Sequence, residues 1–307
     1  MLTYRSVMGL FINKAFTEKM YDFFLDFSEI ITSIGLVTLS QKTTPNTGYE
    51  REHQEGAAMA LMNIFQDTPR PIKDLPSAIR KATKAGIVDF SGHSGLTHLP
   101  DHFATPLSLD LCGCENLTSL PSDLYVGGWI DASGSSLTAT PKGMIVRRDI
   151  ILRGCDTLQS LPYPLCVDGS LDVTGCEALR DISGVRKVSG NLEMTGCISL
   201  QKLPDEIAVG CSINLSDCRS LTHLPSKITV GKSLTMRGCE SLECLPDILH
   251  IDGDLDLTDC TSLRRIPPKI SVSGYLKLSG CTGIAIPQQL ISSMYRKILL
   301  PIDFSVF

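Results

Sequence analysis

Cys176, Cys197, Cys218, Cys239, Cys260 and Cys281 stand 21 residues apart. A thiol can ligate a metal, form half a disulfide or act as a nucleophile, so such a column is the first place to look for chemistry. It continues backwards through Cys155, Ser135, Cys114 and His93, with one residue deleted between Ser135 and Cys155. Metal or disulfide chemistry would need thiols facing one another at ligand distance. Ser135 and His93 interrupt the column, which a polar turn-filling role tolerates and a metal cluster does not. Cys114, Cys155, Cys176, Cys197, Cys218, Cys239, Cys260 and Cys281 are therefore expected to fill turns, with no metal and no cofactor. The other four cysteines, Cys112, Cys166, Cys211 and Cys244, make no CxxC pair. Twelve thiols in one chain imply a reducing compartment.

The column marks the phase of a repeat whose clearest unit is SLDVTGCEAL, Ser170 to Leu179. Apolar residues lie five and three positions before each cysteine, as Leu171 and Val173, and this period of two describes a short half-buried strand. A further Leu follows three positions after it (Leu179, Leu200, Leu221), and then Leu-Pro, as in Leu203-Pro204 and Leu224-Pro225. Proline fixes φ and removes a donor, so no helix is expected on the return side of the coil. That return should be extended or polyproline-like and should rejoin the core through Ile207, Val209 and their equivalents. A fixed period of this length with this apolar pattern is the mark of a leucine-rich repeat solenoid. The expected fold is thus α/β: a solenoid of 21-residue repeats over residues 86–287, with a parallel sheet on its concave side and an extended convex side.

LxLxxCxxLxxLP resembles the short repeats of bacterial leucine-rich repeat effectors of the Yersinia outer-protein, Shigella invasion-plasmid-antigen and Xanthomonas types. Repeats in plant disease-resistance receptors are similar. The resemblance covers about two thirds of the chain. It implies a non-enzymatic module that holds a host protein after type III export without a cleaved signal peptide. Some of those relatives carry a ubiquitin-ligase domain after the repeats. Here residues 288–307 leave no room for one.

The outward strand position four before the column reads Asp89, Asp110, Asp131, Ile151, Asp172, Glu193, Asn214, Thr235, Asp256 and Lys277. Three aspartates on adjacent coils would repel by roughly 1 kcal/mol per pair in water. Such a stripe is either a solvated face or a groove for a basic protein partner. Two positions earlier, Trp129 and Tyr275 are candidate interface anchors.

Residues 1–85 are expected to be helical and to cap the first coil, with apolar stripes at Met20, Phe23, Phe24, Phe27, Ile30 and Ile31 and again near Glu52 to Phe65. A degenerate repeat is expected around Leu75-Pro76. Residues 288–307 should form a short helical cap, Leu290, Met294 and Ile298 sharing one face. Net charge −5 and pI 5.7 argue against nucleic-acid binding. No apolar run reaches 18 residues, so no membrane span is expected. The start, MLTYRSVMGLFINK, makes a poor secretory signal. None of the six histidines forms HExxH. Gly231-Lys232-Ser233 imitates a phosphate loop, but the repeat already explains it. The expectation is therefore a monomeric protein-binding solenoid. An enzyme or ligase adaptor acting through residues 1–85 is one alternative. The other is an extracellular receptor, which the sequons at Asn116 and Asn214 would suit and the free thiols oppose.

Overall fold

The computed structural model describes residues 86–161, 164–294 and 296–307. The helices and the degenerate repeat expected within residues 1–85 lie outside them.

The described chain winds into a parallel β-solenoid of about ten turns with a spacing near 21 residues. Eleven strands of two or three residues, from Ile87–Asp89 to Ile298–Leu299, form one long parallel sheet in strict coil order. Strand partners lie one repeat apart, as Asp89 opposite Asp110 and Leu192 opposite Ile213. Across the deletion the step shortens to 20, with Ile130 opposite Ile150. No coil could hold such short strands alone. Their backbone groups are satisfied by the neighbouring coil, as where Val173 N–H donates to Glu193 O at 2.8 Å.

Strand alternation sends Leu171 and Val173, or Leu255 and Leu257, inwards, and all four are buried. The Leu three positions after each cysteine, Ile284 after Cys281, is fully buried too, as are Leu161, Ile207 and Val209 to within a few per cent. One continuous apolar core therefore runs the length of the described solenoid.

The return side is extended, one of the two forms expected, and its strands also pair from coil to coil. It is a second parallel sheet of nine strands, from Ala104–Thr105 to Lys269–Val272. The proline ends after one residue of influence, and the next four alternate, as Glu206-Ile207-Ala208-Val209 with pattern exposed, buried, half-buried, buried. Such a segment in every coil finds its like 21 residues away, as Ile207 opposite Ile228, and pairs with it.

The C-terminal segment departs from the expected helix. Only Gln288–Ser293 is helical, burying Leu290. Ile298, expected on the same helical face, instead enters Ile298–Leu299 and pairs with Leu276 as the last strand of the long sheet. Phe304–Val306 then pairs in parallel with Ile284–Ile286. An open sheet edge offers backbone donors and acceptors that a continued helix would leave unpaired, and strand pairing wins. No helix among the described residues is long and apolar enough to cross a membrane.

Candidate binding face

The turn column is built the same way in nearly every coil. The residue just before it has a left-handed backbone: Gly92, Gly113, Gly134, Gly154, Gly175, Gly196, Gly238 and Gly280, with Asp217 and Asp259 in the same place at φ 58° and 61°. That conformation excludes most side chains, which is why glycine dominates there. It turns the next residue inwards. All eight column cysteines are fully buried. Each thiol donates to a carbonyl of the preceding coil: Cys176 to Leu152 O at 3.0 Å, Cys197 to Val173 O at 3.3 Å, Cys239 to Leu215 O at 3.1 Å, Cys281 to Leu257 O at 3.0 Å. The same Val173 carbonyl also accepts the Cys176 backbone N–H at 3.1 Å, so both its lone pairs are used. Burial pushes the Cys114 and Cys281 thiols up to about 11 and those of Cys197 and Cys239 to about 12. The arrangement staples coils and keeps those four thiols protonated, whereas the hydrogen bond from Cys176, helped by Ser135, lowers Cys155 to about 7. Among the described residues no group of metal-binding side chains could hold an ion.

The acidic column is also in register, as Asp89 opposite Asp110 opposite Asp131 and Leu255–Asp256 opposite Leu276–Lys277. Its first task is structural, which the sequence reading missed. One carboxylate oxygen accepts the backbone N–H two residues on, ending the strand: Ser91 on Asp89 at 2.9 Å, Cys112 on Asp110 at 3.0 Å, Ser133 on Asp131 at 2.9 Å, Thr174 on Asp172 at 3.0 Å, Thr258 on Asp256 at 3.1 Å. Asn214 does the same for Ser216. This is the local turn that Asp and Asn side chains favour. The recurring Asp/Asn-x-Ser/Thr spelling was the available signal.

The structure divides the acidic residues into two groups. Asp172 and Asp256 are only 6% exposed and already carry a cation of the neighbouring coil. Arg153 lies 2.6 Å from Asp172 and Lys277 3.3 Å from Asp256. Burial raises the Asp256 pKa, but hydrogen bonds from Thr258 and Lys277 outweigh it and hold the carboxyl below its ordinary value. These two are spent within the fold, and Glu193 is half-buried beside them. Asp110 and Asp131 are half-buried with no cation within 4.0 Å among the described residues. Burial pushes the Asp110 carboxyl above its ordinary value. The Cys112 N–H opposes this, and the negative charges of Asp131 and Asp89 add to it.

Two positions earlier in the strand runs a second polar ladder. Its side chains accept the backbone N–H of the equivalent residue one coil on. Ser108 accepts from Trp129 at 3.3 Å, Asp149 from Ser170 at 2.6 Å, Ser170 from Asn191 at 3.1 Å, and Asn191 from Ser212 at 3.1 Å. Ser212 accepts from Ser233 at 3.3 Å, Ser233 from Asp254 at 3.0 Å, and Asp254 from Tyr275 at 2.8 Å. Trp129 stands inside this ladder, half-buried, with a ring that can accept no such bond. Tyr275 ends it, 51% exposed.

No protein-family model, curated protein or solved structure matches the chain.

Proposed function

We propose that the protein is a non-enzymatic binding solenoid whose outward long-sheet face holds a protein partner carrying basic side chains. One observation carries this reading. Trp129 breaks a ladder in which every other residue from Ser108 to Asp254 accepts a hydrogen bond between coils. It does so on the coils where Asp110 and Asp131 form no ion pair among the described residues, Arg153 reaching Asp131 only at longer range. The fold gains nothing evident from an indole there, whereas an interface gains a rigid apolar anchor beside carboxylates without an ion pair. A sheet fixed by two polar ladders needs no rearrangement to bind, so little ordering entropy opposes the contacts. The effector-like role in a host cytosol, with export but no cleaved signal, belongs to the same proposal and rests on the repeat pattern alone.

The test is capture of interacting proteins from candidate host lysate by the full chain, with Trp129→Ala and Asp110→Asn/Asp131→Asn compared against wild type. A specific partner should be retained by the wild type and lost by both variants, whose thermal stability stays unchanged. A partner that both variants keep equally well would place the interface elsewhere.

A further inference from the structure

We infer that a cleft on the return side of three consecutive coils is a phosphoryl-binding site. It has a volume of about 370 Å³ and is lined by Arg180, Arg186, Lys202 and Lys227, with acidic residues between them. The sequence explains why it opens there. Every other coil from His93 to Cys281 has a proline 6 or 7 residues after its column position, but this coil reads Ile182-Ser183-Gly184. Loss of the ring and of one Cβ leaves small residues at that corner. Ser183 N–H is turned onto Asp181 Oδ1 at 2.8 Å. Gly184 N–H is held by Leu161 O and Val185 N–H by Ile182 O, both at 2.9 Å. The strand Val185–Val188 then begins with a register shift between Val185 and Lys187, where Arg186 stands.

The charges around this corner do not cancel. Asp181 accepts the Ser183 N–H and keeps its charge, and Glu206 is paired with Lys227 at 3.6 Å. Among the described residues Arg180, Arg186 and Lys202 form no ion pair, and neither do Asp181 and Asp205, so four cations line the cleft against the three carboxylates of Asp181, Asp205 and Glu206. In a chain of net charge −5 this is a local excess of cations. Two planar forks and a point charge, none of them in an ion pair, match the several acceptor oxygens of a phosphoryl dianion. The group can arrive on a phosphorylated peptide or as free phosphate, and the chemistry of recognition is shared.

The experiment uses the full chain. It is titrated with a phosphoserine peptide, its unphosphorylated twin and inorganic phosphate, and the arginine side-chain N–H signals are followed by NMR. The phosphopeptide should shift Arg180 and Arg186 and bind at least about tenfold more tightly than its twin. Arg180→Gln/Arg186→Gln should lose that preference while melting at the wild-type temperature, since both side chains are exposed. If inorganic phosphate binds as tightly as the phosphopeptide, the site stands with the free anion as its ligand. If no phosphorylated probe shifts these arginines at millimolar concentration, or the double variant binds equally well, the proposal is overturned.

Discussion

A thiol that donates to a carbonyl of the preceding coil is neither a ligand nor a nucleophile, and its titration measures how firmly the coil holds it. Burial raises Cys114, Cys197, Cys218, Cys239, Cys260 and Cys281 above the ordinary thiol value of 9.0. An unfolded thiol ionises near that value while the folded one stays protonated. Below pH 9 their contribution is therefore complete, and it is lost as pH rises through the folded values near 11 and 12. Each thiol costs about 1.4 kcal/mol per pH unit over that window. Denaturant midpoints should hold steady to about pH 9 and then fall steeply. At neutral pH a maleimide should modify exposed Cys112 and Cys244 quickly and the column only after unfolding, as read by mass spectrometry. Rapid native labelling of Cys197 and Cys218 would refute the turn role. The column and its burial were legible from spacing alone. The job of Asp110 or Asp131 in closing its own turn was not, because an outward acidic residue looks the same in sequence whether it faces water or the next backbone N–H.

At the scale of the element, the shortened coil is the weak link. Thr140 takes the place that Leu161 and Leu203 hold in other coils, is 3% exposed, and among the described residues its hydroxyl has no hydrogen-bond partner. A buried unsatisfied hydroxyl costs roughly 1–3 kcal/mol, and valine has nearly the same shape. Thr140→Val should therefore raise the unfolding free energy from denaturant titration by an amount in that range, whereas a loss of stability would mean that the hydroxyl has a partner. The strands of the long sheet were readable because their period of two is flanked by cysteine and glycine. The second sheet was hidden by Leu-Pro, whose proline restricts only its immediate surroundings. The pairing that follows depends on coils 21 residues apart, which a local window cannot see. The final strand Ile298–Leu299 was missed for the same reason: its spacing from Leu290 and Met294 fits a helix, and only the open sheet edge decides against one.

In the whole molecule each coil touches mainly its neighbours, so stability is a sum of coil and interface terms. Leu215 is fully buried in the middle of the stack. Leu215→Asp puts an unpaired charge there and should cost several kcal/mol, unfolding the adjacent coils together. Hydrogen exchange should show protection lost on both sides of it. Unchanged protection would count against the shared core. The same rigidity makes the outward face useful, since the two polar ladders fix where Trp129, Asp110 and Asp131 stand.

That placement is tested most directly by the salt dependence of association with a captured partner, measured by stopped flow for wild type and Asp110→Asn/Asp131→Asn. Carboxylates held in no ion pair should steer a basic partner. The wild-type rate should then fall as salt rises, and the double variant should start about tenfold slower and respond less. Equal rates with equal salt dependence in the two proteins would contradict the assignment of this face.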